Sequence, residues 1–192
     1  MIGRGDSEAG GVDAADGRAQ MGRDLVVLLP RLRRFAAGLA GSTQEGDDIV
    51  QAACLRALER YRQWQPGTQL DRWMFRIVRN IWLDRRKSAW SQRVRSDPEL
   101  LAGVADRSLE KELEARDEFT RARAAIAALP APQREALLLV SVEGLTYEAT
   151  AELLGIPLGT VMSRVARARV AVARLVRGDR DSDRGASAEA SA

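Results

Sequence analysis

The chain has 192 residues and a mass of 21.0 kDa, enough for one ordinary domain or two small ones. It contains no histidine and one cysteine, Cys54, which excludes histidine-based catalysis, histidine metal sites, internal disulfides and thiolate metal clusters. Its 30 basic residues outnumber its 27 acidic ones, for a net charge of +3, and 28 of the basic residues are arginines. Arginine suits phosphate binding and base stacking, although a GC-rich genome produces the same bias. Composition therefore argues against an enzyme, a cofactor or a metal site.

No stretch of the sequence is typical of a membrane span or a signal peptide. The longest apolar runs, such as residues 136–140, are far too short to cross a bilayer, and the N-terminus lacks an apolar core. A single free cysteine fits a reducing compartment. We therefore expect a cytoplasmic protein without membrane insertion.

Charge is distributed along the chain in blocks. Residues 76–95 carry a net charge of +6 and residues 158–177 carry +5, whereas residues 96–119 between them carry −5. Two basic blocks joined by an acidic connector are typical of two small nucleic-acid-binding domains with a linker, and the connector is expected to mask DNA binding in the free protein. Residues 1–24 and 178–192 are Gly-, Asp- and Ala-rich without apolar periodicity, which predicts a disordered leader and a disordered tail.

Apolar residues recur at helical spacing between these ends, and the sustained alternation typical of strands is missing from the sequence. Glycine and proline fall between the periodic stretches. This pattern predicts helices at 25–40, 46–63, 70–90, 109–128, 131–142, 147–154 and 158–176. The predicted fold is all-α, with two small helical domains at 25–95 and 120–177 joined by a flexible acidic linker.

The second predicted helix has two contrasting faces. One face is an apolar stripe with helical spacing, formed by Val50, Cys54, Ala57, Leu58 and Tyr61. Cys54 is therefore interpreted as a small buried hydrophobe. The other face presents Asp48, Gln51, Leu55 and Glu59, and it is either ordinary solvated surface or a partner-binding face with Leu55 in the middle.

The third predicted helix combines arginines with aromatic residues. Its core stripe consists of Leu70, Trp73, Met74, Ile77 and Ile81. Basic residues line the opposite side and continue past residue 90, and Trp73, Phe75, Trp82 and Trp90 are interleaved with them. Arginine with interleaved aromatics is typical of single-strand binding, since bases stack on rings and phosphates pair with charge. The alternative is that the tryptophans belong to the core and the arginines solvate a surface.

Residues 146–169 have the spacing of a helix-turn-helix. Thr146 is placed to cap a short helix, and Gly155 can adopt the left-handed conformation of the turn. Pro157 begins the next helix, and Val161 faces the first. The N-terminal residues of such a second helix reach base edges in the major groove, which predicts DNA contacts from Leu158, Gly159, Thr160, Ser163, Arg164 and Arg167. The alternative is a helical hairpin in a core, which would bury five arginines without acidic partners.

Together these motifs resemble, in order and separation, the extracytoplasmic-function (ECF) sigma factors of bacterial RNA polymerase, the smallest members of the sigma-70 family. The resemblance covers about 25–177. Residues 46–51, Gly-Asp-Asp-Ile-Val-Gln, resemble the part of region 2 that docks on the clamp helices of the polymerase β′ subunit. The resemblance implies polymerase contacts from Asp47, Asp48, Ile49, Gln51 and Leu55.

Residues 73–84 resemble the next segment of region 2, which opens and reads the minus-ten promoter element. By this resemblance the specificity loop lies at about 65–72, and residues 80–84 lie near the extruded base. The implied minus-ten contacts are Thr68, Arg72, Trp73, Arg76, Arg79, Asn80, Asp84 and Lys87. Residues 129–169 resemble region 4, which reads the minus-thirty-five element.

The resemblance implies a binding function without covalent chemistry. The protein would join core RNA polymerase through the β′ clamp helices and the β flap, and direct promoter-specific transcription initiation. Its expected partners are core polymerase, promoter DNA and an anti-sigma factor. Three residues depart from the family pattern: Ala52 and Ala149 stand where acidic residues are usual, and Met162 replaces a common lysine that contacts phosphate.

Other functions explain less of the sequence. A helix-turn-helix regulator that binds duplex DNA without polymerase leaves residues 46–90 unexplained. A sigma-like decoy that sequesters an anti-sigma factor usually carries a phospho-receiver domain, for which this length leaves no room. The paired acids Asp47 and Asp48 at a helix start are favourable with the helix dipole and need no catalytic role.

Overall fold

The computed structural model describes the backbone of residues 9–64, 68–96 and 118–189, and the side chains of residues 16–64, 68–89, 91 and 120–176. All regular structure in these ranges is helical, which confirms the predicted all-α fold. The helices are α1 (Ala9–Ala40), α2 (Thr43–Glu59), α3 (Leu70–Ser96), α4 (Glu118–Ala127), α5 (Ala131–Leu137), α6 (Tyr147–Leu154) and α7 (Leu158–Glu189). A 3₁₀ turn (Tyr61–Gln63) follows α2, and a π-helical turn (Leu138–Val142) continues α5. None of the described helices is long and apolar enough to cross a membrane.

The first domain is a bundle in which α1 packs against both α2 and α3. Its centre holds Phe35 and Phe75, whose ring centroids lie 5.1 Å apart at 71°, an edge-on arrangement that aromatic rings favour. Gly41 turns the chain between α1 and α2 with a φ of 78°, which favours glycine. Ser42 then caps α2, because its Oγ accepts a hydrogen bond from the Glu45 amide.

The prediction of a disordered leader over residues 1–24 is wrong for residues 9–24, which form the first half of α1. Met21 is 1% exposed and Leu25 is 4% exposed, so the buried stripe of α1 begins one turn before the predicted helix. Gly17 lies against the Tyr61 ring. The polar composition concealed this helix because one buried methionine on a long helix changes the average hydropathy little. Residues 1–8 lie outside the described part of the chain.

The second domain builds its core around α7, which packs against α4, α5 and α6. The Thr146 hydroxyl accepts a hydrogen bond from the Ala149 amide at 3.1 Å, which confirms the predicted cap of α6. Gly155 has a φ of 67° at the end of α6, and Val161 is completely buried. Both observations confirm the predicted helix-turn-helix geometry.

The prediction of a disordered tail from residue 178 is wrong up to residue 189, because α7 continues through Gly178 to Glu189. Residues 178–192 lack apolar periodicity, so the sequence predicted no helix there. A helix that is already nucleated gains one hydrogen bond with each further residue, and this stretch contains alanine and arginine but no proline.

The two domains are in contact. α1 packs against α4, α5 and the π-helical turn, and α3 lies against α6. The buried hydrophobic residues of both domains form one continuous cluster. Ser96 and residues 118–119 of the predicted 96–119 linker are helical, and the rest of it lies outside the described residues.

Candidate protein and nucleic-acid interfaces

The outer face of α2 is polar with one large apolar residue in its centre. Asp48, Gln51 and Leu55 lie at i, i+3 and i+7 and are all exposed. The Leu55 side chain is 63% exposed although it is surrounded by polar residues of its own helix. An exposed leucine within a polar face is typical of a surface that binds another protein.

Two residues predicted for this surface lie elsewhere. Ile49 is completely buried in the bundle core, so the prediction that it contacts polymerase is wrong. A contact there would require α2 to leave α1 and α3. Asp47 lies at the edge of the face, where its Oδ1 pairs with Arg33 Nε at 3.1 Å.

The apolar stripe of α2 is shifted relative to the prediction. Val50 and Ala57 are buried as expected, but Ile49 and Ala53 are buried with them. Cys54, Leu58 and Tyr61 are half-buried at the edge of the core. Burial raises the pKa of the Cys54 thiol, against a smaller lowering by the nearby Arg33 charge.

One face of α3 gathers most of the predicted minus-ten residues. Arg76, Asn80, Asp84 and Lys87 are exposed, whereas Arg72 and Trp73 beside them are half-buried. Thr68 is exposed just before the helix. A row of basic and amide groups along one helix fits a phosphate backbone with bases beside it.

The aromatic residues of α3 belong mainly to the core. Phe75 is 0% exposed and Trp82 is 2% exposed, so neither offers a stacking face to a base. The interpretation that these two rings stack on bases is therefore wrong, and they belong to the core. The Arg86 guanidinium lies 5.0 Å from the centre of the Trp82 ring instead. Trp73 remains at the candidate DNA face. The Trp90 side chain lies outside the described residues.

Two predicted minus-ten arginines pair with acidic residues of the second domain. Arg79 Nε donates to Glu135 Oε2 at 2.8 Å, and Arg72 lies 3.8 Å from Glu152 Oε2. A cavity of about 230 Å³ separates the start of α3 from α6, with Trp73 and Arg76 on one wall and Leu153 on the other. In this arrangement α6 therefore covers one end of the candidate minus-ten face.

A buried carboxylate reinforces the same domain contact. The side chain of Glu143, just after the π-helical turn, is 0% exposed, and its Oε2 lies 3.2 Å from Arg31 Nε and 3.5 Å from Arg34. Arg31 also pairs with Asp71 at 3.0 Å. Sequence reasoning missed Glu135 and Glu143. The available signal was their position on either side of the mainly apolar segment 136–142, where a charge requires a partner.

The recognition helix α7 exposes its first two turns. Leu158, Gly159, Ser163 and Arg167 are exposed, and Thr160 is half-buried. The Arg167 guanidinium is folded along the helix, with Nε donating to the Ser163 carbonyl at 3.2 Å and its terminal nitrogen lying 3.3 Å from Ser163 Oγ.

The other predicted base reader, Arg164, is half-buried on the flank of α7. It is nevertheless on the same helix end as the exposed residues. The helix-turn-helix therefore places all six predicted minus-thirty-five residues along one short stretch of α7. Among the described residues there is no group of His, Cys, Asp and Glu that could hold a metal ion.

Two family profiles match the two domains. The profile described as the sigma2 domain of PhyR matches residues 25–79, and the profile described as sigma-70, region 4, matches residues 119–172. The first covers the second half of α1, all of α2 and the start of α3, and the second contains the helix-turn-helix.

Curated relatives and a solved structure agree with these matches. The ECF RNA polymerase sigma factor EcfG of Rhodopseudomonas palustris is 38% identical over 159 residues, covering 80% of this chain and 83% of that protein. SigM of Mycobacterium tuberculosis is 33% identical, covering 76% of this chain and 71% of that protein. The sigma factor RpoE of Bartonella quintana, solved with the anti-sigma factor NepR, is 26% identical with a TM-score of 0.68 over 82% of this chain and 97% of that one. The chain belongs to the ECF sigma factors of the sigma-70 family, non-enzymatic proteins that work with core RNA polymerase and promoter DNA to direct transcription initiation.

Proposed function

We propose that this sigma factor binds the β′ clamp helices of core polymerase through Asp48, Gln51 and Leu55, with Asp47 at the edge of the contact. The observation that carries the proposal is the exposed Leu55 in the centre of a polar face, on the side of α2 that faces away from the bundle core. The exposed face of α3 then reads and opens the minus-ten element, and the start of α7 reads the minus-thirty-five element. On the family resemblance alone, we also propose that the second domain contacts the β flap of the polymerase.

A charge reversal on α2 tests the polymerase contact. The double variant Asp48→Arg with Gln51→Ala is expected to weaken binding to core polymerase at least tenfold in a fluorescence titration, because two exposed polar contacts are lost. Helix content by circular dichroism should stay unchanged, since neither residue is buried.

Asp16→Arg is the matched control, because it makes the same charge change at an exposed position of α1. It should bind core polymerase like the wild type. Equal affinity of the double variant and the control would contradict the assignment of the α2 face.

Promoter-specific initiation is tested by run-off transcription over a genomic promoter library, with core polymerase alone as the control. Transcripts that start at defined sites only when the protein is added are the expected result. A band shift with and without core polymerase separates this mechanism from that of a regulator acting alone. Sequence-specific DNA binding that needs no polymerase and yields no transcript would favour the regulator.

We also propose that an anti-sigma factor binds the groove between the two domains. The groove has a volume of about 440 Å³ and is lined by apolar residues that include Ile126 and Leu138. Its charged lining residues are three arginines and one acid: Arg33, Arg34, Arg123 and Asp47. It fits an amphipathic helix with acidic residues along its edges. The complex of the Bartonella relative with an anti-sigma factor supports such a partner.

The groove is tested with an anti-sigma factor recovered by co-purification. Arg123→Glu should transcribe normally in its absence and escape inhibition in its presence. Arg18→Glu, exposed on α1, is the control and should remain inhibited. Inhibition of both variants would place the partner elsewhere.

We propose a cytoplasmic location because the chromosome and the polymerase on which sigma factors act are there.

A further inference from the structure

We propose that Leu158 and Met162 form a pair that recognises thymine methyl groups in the major groove of the minus-thirty-five element. The proposal rests on the DNA contact of α7 proposed above. It assigns a sequence-reading role to Met162, a position at which family resemblance suggests only the loss of a phosphate contact.

The exposure of the two side chains is the first observation. Leu158 is 40% exposed and Met162 is 54% exposed. Neither belongs to the hydrophobic cluster nor packs against it, although the neighbouring residues Ile156 and Val161 do. The two residues lie at i and i+4, so they form one apolar surface on the first turns of the helix.

The backbone beside this pair is open. A Cβ added at Gly159 would meet no atom within 4 Å, so the start of α7 offers a free approach to a bulky ligand. In a helix-turn-helix, these first turns are the part that reaches base edges. The surface therefore lies where an apolar group of a base would be met.

Three polar side chains nearby are held by hydrogen bonds within the protein. Arg167 is held on Ser163, and the Ser163 hydroxyl donates to the Thr160 carbonyl at 3.0 Å. Arg169 donates to Ser141 Oγ at 3.2 Å. Leu158 and Met162 thus expose apolar atoms on the first turns of a helix whose five arginines in residues 158–177 favour a polyanion.

Thymine is the base that presents an apolar group, its C5-methyl, in the major groove. Methionine adapts its flexible side chain to such a contact. Removing one buried methyl from the interface is expected to weaken binding about fourfold.

The experiment uses the full-length protein assembled with core polymerase on a promoter identified by the run-off screen. Deoxyuridine replaces thymidine at single positions on either strand of the minus-thirty-five element, which removes the methyl and leaves the hydrogen-bonding groups in place. We expect one or two positions at which the substitution weakens promoter binding about fourfold.

The same templates are then tested with Met162→Gln, Leu158→Gln and the control Val170→Gln. Val170 is 53% exposed and lies two turns further along α7. The uracil effect should disappear in at least one of the first two variants and persist in the control. A residue with a purely structural role would not change the difference in binding between thymine and uracil templates, so the loss of this difference indicates methyl recognition.

Three results would overturn the proposal. The first is a wild type that binds thymine and uracil templates equally, and the second is a uracil effect that survives in both Met162→Gln and Leu158→Gln. In either case promoter-specific transcription would still stand. The third is a loss of core-polymerase affinity in these variants, which would assign the surface to protein binding.

Discussion

Gly46 lies where α2 approaches the backbone of α1. A Cβ at this position would stand 2.7 Å from the backbone nitrogen of Ala37. Backbone atoms cannot rotate away as a side chain can, so any larger residue would push the two helices apart. The Asp-Asp motif of α2 is therefore positioned by the small residue that precedes it.

Gly46→Ala is expected to lower the free energy of unfolding by about 1–3 kcal/mol, because a methyl group is forced into a filled space. Gly22→Ala is the matched control: a Cβ at Gly22 in α1 meets nothing within 4 Å, and alanine favours a helix by up to about 1 kcal/mol. Urea denaturation measures both variants. Equal stability of Gly46→Ala and wild type would show that the helices yield without cost.

The Cys54 thiol should react slowly in the folded protein. Burial raises its pKa above the ordinary value of 9.0, so less thiolate is present at neutral pH. Because the folded pKa is the higher one, the neutral thiol stabilises the fold below the unfolded pKa, and this contribution is lost as pH rises through the folded value. Titration with a chromogenic disulfide at several pH values, with urea-unfolded protein as the reference, measures the difference. Equal rates would contradict burial.

At the scale of the helix, α7 combines two kinds of arginine. Arg167 lies in the third turn, beside the proposed base-reading positions, whereas Arg174 is exposed about two turns further on. A helix that enters the groove with its N-terminus leaves later residues near phosphate only. Replacing Arg167 and replacing Arg174 should therefore affect promoter binding in different ways.

Arg167→Ala is expected to weaken promoter binding by about 1–3 kcal/mol through the loss of one base contact, and to relax the base preference at that promoter position. Arg174→Ala should weaken all promoter variants alike, and if Arg174 contacts a phosphate it should reduce the salt slope by about one. Transcription from a set of promoter variants at two salt concentrations separates these effects. A uniform loss for Arg167→Ala would mean that this arginine contacts the backbone.

At the scale of the whole molecule, the second domain covers part of the α3 face that we propose to read the minus-ten element. Arg79 and Arg72 are paired with Glu135 and Glu152. If these arginines bind the promoter as proposed, promoter binding competes with the two ion pairs. Arg134 adds a hydrogen bond to the Leu39 carbonyl across the same contact. The prediction that the acidic linker masks DNA binding concerns residues outside the described part of the chain and stays a prediction.

Glu135→Gln should therefore increase the affinity of the free protein for a fluorescent single-stranded minus-ten oligonucleotide, by about threefold to tenfold. The reason is that a larger share of molecules has Arg79 available. Glu148→Gln is the matched control, since it removes the same charge from an exposed position of α6. Fluorescence anisotropy measures both variants. Identical affinities for the two variants would contradict the competition.

Local chemistry accounts for what the sequence determined by itself. Apolar periodicity located the helices, and the Thr146 cap with Gly155 in the left-handed turn located the helix-turn-helix. Both signals depend on residues within one or two turns of each other, so a single sequence contains them. The exposed Leu55 followed from the same reasoning, because the opposite face of α2 was already apolar.

The tertiary structure decided what each helix face meets. Periodicity gave α3 two faces but did not tell whether Phe75 and Trp82 face DNA or α1. The family resemblance assigned Ile49 a polymerase contact, although the fold buries this side chain. Arg31 and Glu143 are 112 positions apart, and nothing local indicates that they pair. Such contacts depend on how the two domains pack, since a buried charge is stabilised only by the partner that the whole fold brings to it.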